Sequence, residues 1–336
     1  MSVFAAATGI GSWPGTEPRQ AAEIVVGELH QLPHIVELPA RGVGADMIGR
    51  AGALLVDIAI DTVPRGYRIA ARPGSVTRRA LSLLGEDADA LEEAWEKAGG
   101  PGSGRPVKIS APGPITLAAQ LELRNGHRAL TDTAAVLDLA SSLAEGVGAQ
   151  RAELSRRLGS TVVVQFDEPL LALALAGRLS GVSALSPVHA VDDELAIRLL
   201  DTCVAGVDTP VMVHSCAAGV PWKVLQRSNI GAVSVDATTL GEADLDGVGD
   251  FLDSGRTVVV GLVPTQKPAK RPATEEVAAG VVAIVDRIGF ARSAVRGQLG
   301  VSPTCGLASA DAGWARTAIE LCQRAADAVV GDPDAI

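Results

Sequence analysis

Short runs rich in Val, Ile and other aliphatic residues alternate along this chain with longer stretches whose apolar positions recur at helical spacing. The short runs, at residues 4–10, 34–38, 107–110, 161–166, 211–214, 232–235, 257–262 and 298–302, predict eight β-strands. The stretches between and after them, 17–31, 44–60, 75–99, 131–158, 189–206, 241–254, 274–288 and 310–330, predict helices. Asp192 ahead of Glu194, and Thr274 ahead of Glu275 and Glu276, read as helix starts. Parallel strands joined by helices make either an open doubly wound sheet or a closed barrel. A count of eight favours the barrel, so the expected fold is α/β, a (β/α)8 TIM barrel in a single domain over residues 1–336. The longest connection, 39–106, predicts a long insertion after strand 2, with a hairpin around residues 64–67 and a Gly-rich loop at 99–104. Residues 332–336 are expected to be a disordered tail.

Composition then narrows the class. Hydrophobic residues make up 47% and aromatic residues only 3%, so the core must be built from Ala, Val, Leu and Ile, which suit parallel sheets. Lys and Arg number 29 against 39 Asp and Glu, a formal charge of −10, which disfavours nucleic acid and anionic membranes as partners. Residues 1–20 lack the basic start and apolar core of a signal peptide. Asp57, Asp61 and Arg178 interrupt the most apolar runs short of the ~20 residues of a membrane span. Four cysteines, Cys203, Cys216, Cys305 and Cys322, are too few and too scattered for a disulfide framework. The expectation is a reduced, cytoplasmic protein.

Barrel enzymes carry their chemistry on loops after the C-terminal ends of strands, and the polar residues of this chain gather there. Ser12 follows strand one, and Glu37 and Arg41 end strand two. Asp167 and Glu168 end strand four, His214 to Cys216 strand five, Asp236 strand six and Thr304 to Gly306 strand eight. His214, Cys216, Asp236 and Cys305 make a tetrahedral zinc set of one imidazole, two thiolates and one carboxylate. In His214-Ser215-Cys216 the first and third residues leave the strand on one face, so both aim at one point. A lone buried Cys is more often packing than ligand, and Cys203 and Cys322, inside helices, take that role.

Neighbours on a strand face opposite ways, so only one of Asp167 and Glu168 readily reaches the mouth. Asp167 takes the ligand-facing part, as counter-charge to a substrate amine. Glu168 counts among the candidate substrate-binding residues, with bracing of a nearby Arg or backbone, or capping of the turn before Pro169, as its other roles. Glu37 either binds an amine or fixes Arg41. His34 and His127 are expected to be surface or structural residues. Gly9, Gly11 and Gly15 after the first strand, with Glu37 ending the second, echo a dinucleotide-binding turn. The third glycine falls one place late, however, and Trp13 and Pro14 fill the turn.

Seven segments, in order and over about nine-tenths of the chain, carry a family resemblance. They are Ile10-Gly11-Ser12-Trp13-Pro14, Ala45-Asp46-Met47, Gly113-Pro114-Ile115-Thr116, Gln165-Phe166-Asp167-Glu168-Pro169, His214-Ser215-Cys216, Ser234-Val235-Asp236 and Pro303-Thr304-Cys305-Gly306-Leu307. Together they resemble the catalytic C-terminal barrel of cobalamin-independent methionine synthase. The resemblance implies zinc-dependent transfer of a methyl group to the thiol of homocysteine, giving methionine. It would make His214, Cys216, Asp236 and Cys305 the zinc ligands. Ile10, Ser12 and the catalytic Asp167 would contact homocysteine.

Asp236 stands where the family usually has Glu, which is longer by one methylene. The family's second amine-binding acid lies in a His-Gly-Glu segment with no clean match near residues 39–41, which leaves Glu37 to stand in for it. The aromatic that stacks on folate is replaced near Ala119-Gln120, and the N-terminal half of the full-length enzyme has no counterpart. The implied methyl donor is therefore methyltetrahydrofolate or a methylated corrinoid brought by its carrier protein. Two other classes suit the same pattern. One is a barrel decarboxylase resembling the uroporphyrinogen enzymes, which needs a basic mouth where only Arg41 and Lys267 are obvious. The other is a non-catalytic module that binds zinc or a corrinoid protein.

Overall fold

The computed structural model describes residues 2–181 and 187–336. Its strands, in chain order, are β1 (Ala59–Val63), β2 (Gly66–Ala70), β3 (Val107–Pro112), β4 (Leu121–Glu122), β5 (Val162–Asp167), β6 (Val211–Ser215), β7 (Ala232–Asp236), β8 (Thr257–Val263) and β9 (Leu299–Pro303). Six of them form one parallel curled sheet in the order β3-β5-β6-β7-β8-β9, as consecutive strands joined by helices require. The fold is α/β and consistent with a TIM-like barrel.

The first two expected strands are extended segments rather than full ladders. The segment at 4–10 bridges the β9 edge through Ala7 and Val301, and the one at 34–38 bridges the β3 edge through His34 and Lys108. Backbone bonds run from Thr8 N to Val301 O at 3.1 Å and from Ile35 N to Lys108 O at 3.0 Å. Ser12 and Glu37 link the two segments to each other. Pro33, just before the second segment, has no N–H to give to a ladder.

Alternation along the strands builds two cores. One face, including Val164, Phe166, Val213, Val235, Val260 and Val301, packs with the surrounding helices. The opposite face closes in a small apolar plug of Phe4, Ala6, Leu32, Val163, Met212, Ala232 and Val259. The next inward positions along the same strands are polar and buried: Thr8, His34, Lys108, Gln165, His214 and Ser234. An apolar floor under a polar upper layer therefore follows from the two-residue strand period.

The expected helix at 44–60 is shorter. It runs only over Met47–Ala51, capped by Asp46, whose side chain accepts from Gly49 N at 3.0 Å. Asp57 takes φ +58°, a left-handed conformation no helix interior tolerates, and β1 begins two residues later. β1 and β2 form an antiparallel hairpin whose turn falls at 64–65, within the expected span. Tyr67 of β2 accepts from Gly44 N at 3.1 Å and donates to Asp46, tying this hairpin to the loop before Met47. Helix Asp193–Val207 is capped by Asp192, whose side chain accepts from Glu194 N, while helix Thr274–Ile288 begins at the expected Thr274 but has Ala273 as its cap, with Glu276 accepting from Ala273 N at 2.8 Å. At the C-terminus, for which disorder was expected, a 3-10 turn covers Pro333–Ala335, and Arg292 donates to the Pro333 and Ile336 carbonyls.

Candidate metal and substrate site

The C-terminal ends of the strands surround a cavity of about 310 Å³. Its lining includes Ile10 and Ser12 from the first segment, Glu37 from the second, Asp167 from β5, His214 and Cys216 from β6 and its exit, and Cys305 after β9. Five distant strand ends thus converge on one space. Close contacts shape it. A Cβ on Gly306 would lie 2.0 Å from Ser12 Oγ, so a side chain here would displace the Ser12 hydroxyl from the cavity wall.

On one side of the cavity the ligand atoms of His214, Cys216 and Cys305 all lie within 4.8 Å of one another. The two sulfurs are 3.2 Å apart and share a hydrogen bond. That bond makes Cys305 the acidic member, its thiol brought down to about 4 against burial and with help from His214. The same bond, with burial, pushes the Cys216 thiol up. His214 Nδ1 lies 3.1 Å from Ser234 Oγ on β7, which orients the ring, while its buried Nε2 has no partner. An orphaned imidazole nitrogen beside two thiols sharing a proton suits a zinc ion, which takes imidazole nitrogen and thiolate sulfur. These residues fit the metal.

Asp236 stands outside that group. Its Oδ1 accepts from Thr238 N at 2.9 Å and Thr238 Oγ1 at 2.6 Å, capping the 3-10 turn Ala237–Thr239. A short carboxylate two residues before a threonine makes this local bond readily, which the family comparison of Asp with Glu does not reveal.

Two acids line the same cavity, and one of them, Asp167, neighbours His214 across the β5–β6 ladder. Asp167 accepts from Gln165 Nε2 at 2.6 Å, and burial raises its carboxyl to about 7. Glu37 accepts from Ser110 Oγ at 2.9 Å, and burial raises its pKa too, against the pull of Arg50, whose Nε is 3.9 Å away. The alternative in which Glu37 fixes Arg41 is not what forms. Arg41 Nη2 pairs with Asp87 at 2.6 Å, and Arg50 pairs with the other oxygen of the same carboxylate. Glu168 is fully buried and outside the lining. Its oxygens accept from Ile115 N at 2.8 Å, Thr116 N at 2.9 Å and Thr116 Oγ1 at 2.7 Å, so its carboxyl braces the backbone. His34, expected at the surface or in a structural role, is buried; its Nδ1 meets Ile35 O at 2.8 Å. His127 stays on an exposed turn.

The sequence reading missed Lys108 and Ser110 of β3, which sit on the inward face among the acids. The signal was available: they are two polar residues two apart in a run otherwise read as apolar.

The model of the cobalamin-independent synthase catalytic domain matches residues 4–328. The chain belongs to this family. No curated protein matches it in sequence. Several solved structures resemble this chain in fold. A B12-independent methionine synthase from Shewanella sp. W3-18-1, in complex with selenomethionine, aligns over 97% of this chain and 98% of its own, with TM-score 0.60 and 15% identity. A putative vitamin-B12 independent methionine synthase from Listeria monocytogenes aligns over 96% and 97%, with TM-score 0.59 and 17% identity. A methyltransferase from Methanosarcina mazei aligns over 97% and 91%, with TM-score 0.57 and 14% identity. Among the described residues no helix is long and apolar enough to cross a membrane.

Proposed function

We propose that this chain is a single-domain (β/α)8-barrel methyltransferase, with residues 4–10 and 34–38 as its first two strands, that methylates the thiol of homocysteine. The observation that carries the reading is one cavity lined by both a His-Cys-Cys cluster and two buried carboxylates, with Asp167 next to His214 across the ladder. His214, Cys216 and Cys305 would hold zinc, with Asp236 supplying a fourth donor in exchange for its bonds to Thr238. Bound zinc keeps a substrate thiol deprotonated, which a thiol of ordinary pKa near 8.5 is not at neutral pH.

The chain's own residues do the rest. Asp167 and Glu37 take the substrate ammonium between them, and an ammonium there relieves the cost of burying both acids. Ile10 and Ser12 line the cavity beside these acids and complete the contacts to the amino acid. The sulfur attacks the donor's methyl carbon, so an S–C bond forms as the donor's bond to methyl breaks. Among the lining residues there is no Lys or Arg, which a decarboxylase acting on several carboxylates requires.

The test is metal content and methionine formation together. Purified protein is expected to hold about one zinc per chain, and Cys216→Ser or Cys305→Ser to lose metal and activity together. Asp236→Ala is expected to retain more metal than either. Full zinc content in both cysteine variants would refute the ligand set.

A further inference from the structure

A lysine lies beneath the cavity, inside the barrel, and the methyl-transfer chemistry makes no use of it. Lys108 of β3 is fully buried. Its ammonium donates to the Gly9 carbonyl at 2.6 Å and to the Gln165 side-chain oxygen. Gln165 in turn donates through Nε2 to the Ile10 carbonyl at 2.7 Å and to Asp167 Oδ1 at 2.6 Å. Chemistry fixes the direction of this relay. An ammonium has donors only, so it takes the amide oxygen, and the amide nitrogen is left to face the carbonyl and the carboxylate. Without the lysine, Gln165 is free to turn over and present its oxygen to Asp167, which repels it.

We infer that Lys108 is a positioning residue for the amine end of the substrate cavity, holding Asp167 and the Ile10 carbonyl in place through Gln165. Strand register supports this. Ser110 pairs with Gln165 and Pro112 with Asp167 across β3 and β5, so Lys108 reaches up one layer to the residue directly below Asp167. Charge supports it too. Burial lowers the ammonium to about 7, and Asp167 and Glu37, the two acids that face the cavity, are the groups that hold it up. A buried lysine whose charge is sustained by the substrate-facing carboxylates sustains theirs in return. His34, the other titratable group beside it, is held neutral by burial and by Lys108 itself, with its pKa lowered to about 3.

This inference rests on the homocysteine reading, and the experiment separates the two. Zinc-loaded wild type, Lys108→Met and Gln165→Met are compared with homocysteine and with 4-mercaptobutanoate, which has the same thiol and carboxylate but no amine. In both variants KM for homocysteine is expected to rise roughly ten- to a hundredfold, as for loss of bonds to a charged group. KM for 4-mercaptobutanoate and the zinc content are expected to stay at wild-type values. If Lys108→Met does not fold, Gln165→Met breaks the same relay one bond closer to Asp167 and decides alone. Equal losses for both thiols, or none for either, overturn the positioning role while leaving the methyl-transfer reading intact. Failure of the wild type to accept homocysteine overturns both.

Discussion

In the proposed reaction, Asp167 is the residue on which thiol chemistry and amino-acid recognition would meet. It ends β5 on the inward face, beside His214 in the ladder, with its carboxyl raised to about 7 by burial. A raised acid is neutral below that value and offers an ammonium no counter-charge. The affinity advantage of homocysteine over 4-mercaptobutanoate should therefore grow as pH rises from about 6 to 8, and Asp167→Asn should shrink the advantage to what Glu37 alone supplies. Calorimetric titration of both thiols at several pH values checks this; a pH-independent advantage in the wild type would remove Asp167 from amine binding. At this scale the sequence was legible wherever a polar residue broke an apolar strand end, as His214, Cys216, Cys305 and Asp167 do. It was not legible where a side chain had a local partner to choose. Asp236 bonds to Thr238, a choice not written in residue type, whereas Glu168 takes the backbone-bracing role that was one of its expected alternatives.

Those backbone bonds of Glu168 act at the scale of the element. Helix Pro114–Gln120 begins right after β3, and its first N–H groups point to the end of β5. The Glu168 carboxylate joins these two elements just beyond Asp167, and Gly113 allows the approach, since a Cβ there would lie 2.3 Å from the carboxylate. Glu168→Gln keeps one acceptor oxygen but turns an NH2 group towards another donor. A loss of about 1–3 kcal/mol is expected, the cost of leaving a buried donor unsatisfied. It should appear in urea unfolding as a lower midpoint at unchanged slope. A loss no larger than that of the same change at exposed Glu96 would mean that the brace contributes nothing. The sequence showed most elements but not these small ones. Short helices after β3, β5 and β6 lie below the length at which apolar periodicity speaks, and the run at 44–60 mixed a helix and a strand under one apolar pattern.

For the whole molecule, the converging strand ends leave a mouth whose chemistry bears on the methyl donor. The cavity holds about 310 Å³, and its lining is Ile, Ser, Glu, Pro, Ala, Met, Asp, His, Cys and Gly, with no Phe, Tyr or Trp and no Lys or Arg among the described residues. A folate donor wants a flat ring to stack on, worth roughly 0.5–1.5 kcal/mol beyond area burial, and cations for its glutamate tail. Ala119 is buried with its carbonyl accepting from Arg128, and neither it nor Gln120 reaches the cavity. The chain's charge of −10 adds a further penalty for a polyanionic tail. A corrinoid partner would bring its methyl group on a large surface of its own and cap the opening, so it depends little on stacking or cations within the cavity. Methylcobalamin, or a methylated corrinoid protein, is therefore expected to support faster methionine formation than mono- or polyglutamyl methyltetrahydrofolate at matched concentration. Steady-state rates with each donor decide it. Efficient turnover with methyltetrahydrofolate alone would mean that folate finds its ring and tail contacts outside this cavity, and would return the chain to folate-dependent methionine synthesis.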